Sequence, residues 1–284
     1  AIIAHNLHIA IDLNGHTGHS RLNVFESRVA PIQISYLGFP FTTGVDAMDY
    51  VLLDDVVYDK GNERLFSERL LSLGRCFMPR DDSHVTNKVC SRESEGLPLN
   101  VPVLCCFNKV DKINQQTLKV WCRVALAVDG VLWMTQLKDE VFDRVVSMAN
   151  EFGLERSRLV RATFVESIED HLSRLRLADL YLDSYPYGGH TSVSDALFCG
   201  VPVITKYGNS PVSRVGLSML VDLQLDQELA FESWDSYEMA AISMFDEGKL
   251  TDVKSQLHSR LSETHLFDSE SYAAAFQSTI LDLA

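Results

Sequence analysis

Apolar residues in this chain come in short blocks separated by turn residues, and the rhythm of the blocks changes once. The stretch "LHIAIDLNG" (7–15) alternates and then runs apolar into Asn14-Gly15. "APIQISYLGFP" (30–40) is broken by Gly38 and Pro40, and "DYVLLDD" (49–55) is shorter. Each reads as a strand entering a turn. From Arg80 to Asn100 the sequence turns polar, "RDDSHVTNKVCSRESEGLPLN", with Gly and Pro near its end. That composition marks a linker, so the domain boundary is expected there.

Beyond the linker the pattern is regular. Strand patterns at 101–108, 131–136, 158–164, 180–185 and 201–206 alternate with helical periodicity at 114–128, 138–153, 167–178 and 191–200. Gly153 and Gly200 end two of these helices, and Ser167-x-x-Asp170 opens a third as a capping pattern. Strands without strict alternation, separated by helices, predict parallel βαβ units with both faces of the sheet covered. Helical patterns fill most of the remainder to Ala284. The expected fold class is α/β with parallel sheets, and ligands in such sheets sit beyond the carboxyl ends of the strands.

Chemistry gathers at those ends. In "LADLYLDSYPYGGHTSVSDALFCGVPVITKYG" (177–208), Gly188 and Gly189 allow a tight turn and close approach of backbone to a ligand. The helix opening near Thr191 aims free N–H groups and a positive dipole end into the same space, with the hydroxyls of Thr191 and Ser192 beside them. Asp195, one turn in, is placed to accept from a sugar hydroxyl. Ser192-x-x-Asp195 also matches a capping box, which is the commoner use of that spacing. "FNKVDKIN" puts Lys109 and Lys112 just past Asn108, where a lysine can reach an anion. His171 and Arg174 lie three apart on one helix face, suited to stacking on a base or to lining a solvated surface. Together the three groups describe a pocket for a nucleotide diphosphate.

Composition narrows the partners. Of 284 residues, 46% are hydrophobic, enough for two domains, and the net charge of −14 argues against a nucleic-acid backbone. No apolar run has the length of a membrane span, so a cytoplasmic protein without a membrane partner is expected. The cysteines Cys76, Cys90, Cys105, Cys106, Cys122 and Cys199 lack paired zinc spacing and read as buried free thiols.

The segments "DLNGHTGHSRLNVFESRVAPIQISYLGFPFTTGVDAMDY", "VLCCFNKVDKINQQTLKVW" and "LADLYLDSYPYGGHTSVSDALFCGVPVITKYGNSPVSRVGLSML" resemble the protein O-linked N-acetylglucosamine transferases and the SPINDLY-type enzymes of glycosyltransferase family 41. The resemblance covers nearly the whole chain, in order. It implies a GT-B fold, two Rossmann-like domains facing across a cleft, the second holding a UDP-sugar donor without a metal ion or other cofactor. By that resemblance Lys112 contacts the diphosphate and acts in catalysis, His190, Thr191 and Ser192 form the phosphate loop, and Asp195 binds the ribose. His171 and Arg174 then lie beside the uracil, Leu37 and Gly38 line the sugar pocket, and Asn108, Lys109 and Arg214 support the site.

The chain departs from the family pattern at Lys109, at Phe41 (where the family has Gly), at Ile168 and at Ser192. The resemblance implies residues 1–79 as the remainder of an acceptor-side domain, 80–100 as linker, 101–265 as the UDP-sugar domain and 266–284 as a helix packing back on the first. The chain begins with Ala and is expected to be the C-terminal part of a longer protein. Candidate bases and a tetratricopeptide region selecting protein acceptors would lie upstream, and the piece alone is expected to transfer no sugar. His16 is read as a turn residue. The implied activity is inverting transfer of N-acetylglucosamine from UDP to Ser or Thr hydroxyls. The alternatives are another donor, GDP-fucose or UDP-glucose, and a non-catalytic UDP-sugar-binding module.

Overall fold

The structure, a computed structural model, describes residues 2–80, 88–264 and 266–283. Positions 81–87 of the expected linker and His265 and Ala284 at the ends of the last two expected domains lie outside the described residues.

Two parallel sheets carry the molecule. The first is built from β1 (Ile9–Asp12), β2 (Ile32–Tyr36), β3 (Tyr50–Leu53) and β4 (Arg69–Ser72), side by side in chain order. Ile9 sits opposite Ile32, Ile34 opposite Tyr50 and Val51 opposite Leu70. The crossovers are short. One turn of helix, α1 (Leu22–Phe25), joins the first pair, and its Leu22 and Phe25 pack with Ala10, Val29, Ala30 and Met48 in a small cluster of their own.

The second sheet contains β5 (Val103–Cys106), β6 (Val131–Met134), β7 (Leu159–Arg161), β8 (Leu180–Leu182), β9 (Val203–Lys206) and β10 (Ala230–Phe231). Its order is β10-β9-β8-β5-β6-β7, all parallel. Helices α2 (Gln115–Ala127), α3 (Asp139–Glu151), α4 (Ile168–Leu175) and α5 (Thr191–Phe198) alternate with its strands. Then follow α6 (Val215–Asp222), α7 (Asp226–Leu229), α8 (Trp234–Ser243), α9 (Lys249–Glu263) and α10 (Ser269–Leu281). Every residue of β5, β6, β8 and β9 is buried, which is why these strands read as apolar runs rather than alternations. The chain winds outward from β5 in one direction and from β8 in the other. The crevice between those two strands is the switch point where a doubly wound sheet takes its ligand.

The lobes share one core. Ile34, Val51 and Phe77 of the first belong to the same buried cluster as Leu104, Trp121 and Leu220 of the second. Asp54, after β3, is buried and accepts from Val56 N (2.9 Å), Val57 N (2.8 Å), Phe77 N (3.0 Å) and Ser218 Oγ of α6 (2.7 Å). The α6 carboxylate Asp222 accepts from Cys76 N (3.1 Å). The last helix returns to the first lobe. The Tyr272 hydroxyl donates to Phe77 O (2.5 Å) and meets the Tyr36 hydroxyl, while Phe276 packs on the Tyr36 ring at 5.3 Å.

Between the lobes, Arg92 ties the connecting stretch down. Its guanidinium donates to Leu99 O, Val101 O and Leu177 O and pairs with Asp179 at 2.8 Å. Two strands were not expected from the sequence, β4 and the two-residue β10. All six cysteines are free, but Cys90 and Cys199 are half-buried rather than buried. Among the described residues no helix is long and apolar enough to cross a membrane.

Candidate active site

Asp183, the residue after β8, organises the crevice, and the sequence reading passed over it. Its Oδ1 accepts from Ser184 N (2.8 Å), Gly189 N (2.6 Å) and Asn108 Nδ2 (3.2 Å), and its Oδ2 from Thr205 Oγ1 (2.7 Å). Burial pushes this carboxyl up to about 6, with those bonds and the Lys112 charge pulling the other way. The carboxylate thus curls residues 184–189 back over the end of β5. A Cβ on Gly189 would lie 2.7 Å from Ser192 Oγ and from Val193 Cγ2, so only glycine fits the fold of this loop.

Lys112 enters from the opposite side of the switch point, at the end of a 3-10 turn over Val110–Lys112. Its Nζ donates to Gly188 O at 2.8 Å and stands 3.9 Å from the centre of the Tyr187 ring. Burial lowers its pKa to about 8, with Asp183 and Cys106 opposing and Lys109 assisting. Lys109 itself is exposed at the head of the turn. The Tyr187 ring also stacks on His190, centroids 5.1 Å apart. Burial and then the Lys112 charge push the His190 imidazole down to about 3, and its Nε2 is buried without a partner. His190 is therefore a neutral ring.

α5 presents its first turn to the same space. His190 is its N-cap residue and makes no side-chain cap bond. Ser192 Oγ donates to Asn108 Oδ1, whose amide also donates to Ser184 Oγ at 2.8 Å. The capping-box use of Ser192 and Asp195 is overturned here, because neither side chain caps the helix. By contrast Ser167 does cap α4, accepting from Asp170 N at 3.0 Å. Thr191 is exposed.

Asp195 faces away from the loop, toward α4. Its Oδ2 lies 3.2 Å from His171 Nε2, and its Oδ1 takes the guanidinium of Arg80. Burial would raise its pKa, but the bonds to His171 and Arg80 hold it below the usual carboxylate range. His171 meets the Phe107 ring edge-on at 5.8 Å, and Arg174 lies 5.2 Å over that ring. Arg174 is buried and donates to Thr163 O at 2.6 Å, so the reading of this helix face as solvated is overturned. His171 and Arg174 line a cavity of about 380 Å³ with Thr135, Gln136, Thr163 and Phe164, beyond the ends of β6 and β7. That volume suits a small ligand group. His171, on the wall of this cavity, bonds Asp195 of α5, the helix that follows the glycine loop.

The facing wall belongs to the first lobe. Leu37 adopts φ 69°, and a Cβ on Gly38 would lie 2.5 Å from Leu13 O, so the loop after β2 locks against the turn after β1. That turn carries His16, whose Nε2 donates to Thr43 O at 2.9 Å and whose ring meets Phe39 at 5.7 Å. Phe39 reaches across to Tyr187, 6.4 Å between centroids, and Phe41 packs edge-on against Phe66 at 5.3 Å. Arg214 stands apart from the glycine loop. It bridges the lobes by donating to Val56 O (2.6 Å), pairing with Asp59 (2.5 Å) and donating to Gly208 O (3.2 Å).

Comparison with known proteins decides the kinship. The glycosyl transferase family 41 model matches residues 1–89 and 81–276. The chain belongs to glycosyltransferase family 41. This family-41 chain is 30% identical over 270 residues to a probable UDP-N-acetylglucosamine–peptide N-acetylglucosaminyltransferase, SEC, of Arabidopsis thaliana, covering 92% of the chain and 28% of that protein. It is 28% identical over 275 residues to the SPINDLY protein of Hordeum vulgare, which bears the same description, covering 95% and 29%. It spans less than a third of these relatives' length. A mutant O-GlcNAc transferase of Thermobaculum terrenum superposes with a TM-score of 0.87 at 28% identity, over 98% of this chain and 53% of that one. A pneumococcal O-GlcNAc transferase solved with UDP and GlcNAc shares the fold at TM-score 0.56 and 9% identity, over 97% and 57%. The two-lobed GT-B architecture expected for the family-41 chain is the one these neighbours share.

Proposed function

We propose that the second lobe of this chain binds UDP-N-acetylglucosamine and that the protein it belongs to transfers the sugar to Ser or Thr hydroxyls. One observation carries the reading: Lys112, the Gly188-Gly189 loop and the uncapped first turn of α5 converge at the sheet's switch point, with a cavity beside them. The uracil takes the cavity lined by His171 and Arg174, the ribose takes Asp195, and the diphosphate takes the glycine loop. Leu37, Gly38 and Phe39 then wall the sugar.

As the bond from sugar C1 to the diphosphate oxygen breaks, its electron pair leaves with the phosphate. Lys112 and the positive end of α5 stabilise that charge where it develops. The acceptor hydroxyl forms the new bond to C1 and gives up a proton. In place of a base supplied from upstream, His16, read from the sequence as a turn residue, is proposed to take it: among the described residues only its Nε2–H is engaged, with Thr43 O, which leaves Nδ1 to accept. Tetratricopeptide repeats elsewhere in the longer protein select the acceptor, and the setting is cytoplasmic.

Calorimetric titration with UDP tests the donor site in this chain. Radiolabel transfer by the full-length protein from UDP-N-acetylglucosamine, UDP-glucose and GDP-fucose tests the sugar. UDP binding with transfer from UDP-N-acetylglucosamine is the expected result. Transfer only from GDP-fucose would reassign the donor, and UDP binding without transfer would favour a binding module. An unaltered rate for His16→Ala in the full-length protein would remove it as the base.

A further inference from the structure

Arg80 precedes the second sheet, in the stretch between the lobes that the sequence reads as linker. Its guanidinium is nonetheless buried against the nucleotide side of the second lobe. The Arg80 and Asp195 side chains are 9% and 7% exposed. The guanidinium carbon lies 4.2 Å over the Phe198 ring, three residues beyond Asp195 on the same face of α5. The Arg80 Nε is buried without a partner. A long cationic side chain has thus been taken out of water to hold one carboxylate, on a helix whose other end faces the diphosphate loop.

The arithmetic of that carboxylate is specific. A carboxylate offers about four lone-pair directions, two on each oxygen. Arg80 Nη1 uses one on Oδ1, and His171 Nε2 uses one on Oδ2. Among the described residues no other donor takes these oxygens, which leaves one direction on each, and a ribose presents two adjacent hydroxyls. Neither group holding Asp195 consumes what a diol needs, and together they fix the plane of the carboxylate and its ionised form.

Resting on the reading of Asp195 as the ribose acceptor, we infer that Arg80 is a positioning residue for donor recognition. It clamps Asp195 so that both remaining lone pairs meet the ribose hydroxyls, and the inter-lobe stretch thereby contributes to nucleotide selection. Arg80 touches no substrate in this arrangement and acts through the carboxylate alone.

The test compares UDP with 2′-deoxy-UDP by calorimetry on this chain, in wild type and in Arg80→Ala, Arg80→Gln and Arg80→Lys. A site built to hydrogen-bond a hydroxyl rejects the analogue lacking it, so the wild type should prefer UDP by about tenfold or more. Arg80→Ala and Arg80→Gln should lose about tenfold in UDP affinity and change by less than about twofold for the deoxy analogue, collapsing the preference. Arg80→Lys should recover part of it. Asp195→Asn should collapse it too, and adding Arg80→Gln to that variant should cost little more, since the two act as one unit.

A preference unchanged in Arg80→Gln would overturn the inference and leave the donor site standing. Equal loss for both nucleotides would also overturn it, because that is the signature of a structural ion pair. A wild type that binds neither nucleotide would overturn the donor reading itself and this inference with it. If Arg80→Ala does not fold, the Gln and Lys variants carry the comparison.

Discussion

On the proposed donor site, Lys112 should make nucleotide binding depend on pH in a range where the nucleotide's own phosphates contribute little. The ammonium is half-buried and holds Gly188 O, and burial brings its pKa down to about 8. A diphosphate beside it would restore the ordinary lysine value of about 10.4. Binding is therefore linked to proton uptake. The linkage factor is (1 + 10^(pH − 8))/(1 + 10^(pH − 10.4)), close to one at about pH 7 and about four at about pH 8.5. UDP affinity should fall about fourfold over that interval, or about 0.8 kcal/mol, and binding at the upper pH should take up about three-quarters of a proton. Terminal phosphates with a last pKa near about 6 are about nine-tenths ionised at about pH 7 and change little above it, and that small change would raise affinity rather than lower it. Calorimetry in two buffers of different ionisation enthalpy reads both the affinity and the proton count. Lys112→Arg keeps the charge across the range, so its profile should be flat, which separates the lysine from titration of the base. An affinity constant from about pH 7 to about pH 8.5 in the wild type, or a slope shared by Lys112→Arg, would refute the placement of this lysine beside the diphosphate.

Asp183 and the glycine loop give two further expectations. The Asp183 pKa is raised in the folded chain, so the native state holds more protons between about pH 4 and about pH 6. Stability should fall as pH rises through that window, by an amount on the order of 3 kcal/mol. Asp183→Asn, which keeps an acceptor for Ser184 and Gly189, should flatten that slope in urea titrations while weakening UDP binding through the lost countercharge to Lys112. An unchanged slope would mean that another group titrates there. Gly189→Ala should cost about 1–3 kcal/mol, since its Cβ would press on Ser192 and Val193. Gly18→Ala, with open space around its Cβ, should change stability by less than about 0.5 kcal/mol, and equal melting shifts for the two would discount the packing.

The second lobe was nearly all legible in the sequence because its strands are buried on both faces and its helices end in clear signals. The first lobe was less so. β4 offers only Leu70 and Leu71 between Arg69 and Ser72, and pairing with β3 rather than local pattern makes it a strand. β10 is two residues long and exists by leaning on β9. Of the residues the sequence singled out after strands, Gly188, Gly189, Ser192 and Lys112 come together in the structure, while Lys109 and Thr191 are exposed. Asp183 had the same signal, an acidic residue closing an apolar run in "LYLDSY", but its role appears only when Asn108, Gly189 and Thr205 fold onto it. Tyr187, Phe39 and Arg80 were hidden for a plainer reason. The contacts that matter, Phe39 with Tyr187 and Arg80 with Asp195, join positions more than a hundred apart, and no periodicity reports a contact made across a cleft.

The return of α10 to Tyr36 and Phe77 has a mechanical consequence. A chain that passed between its lobes once could swing them like covers on a single spine. This chain passes twice, before β5 and again before α10, and the second passage ends in buried tyrosine hydroxyls rather than in a loose tail. Two struts at different places remove the freedom to pivot about either one. What remains is sliding of packed surfaces, small in travel and stiff in torsion. The gap between Phe39 and Tyr187 is then governed by shear along the Asp54–Ser218 seam, and a cut after α9 would turn a rigid frame into a hinge.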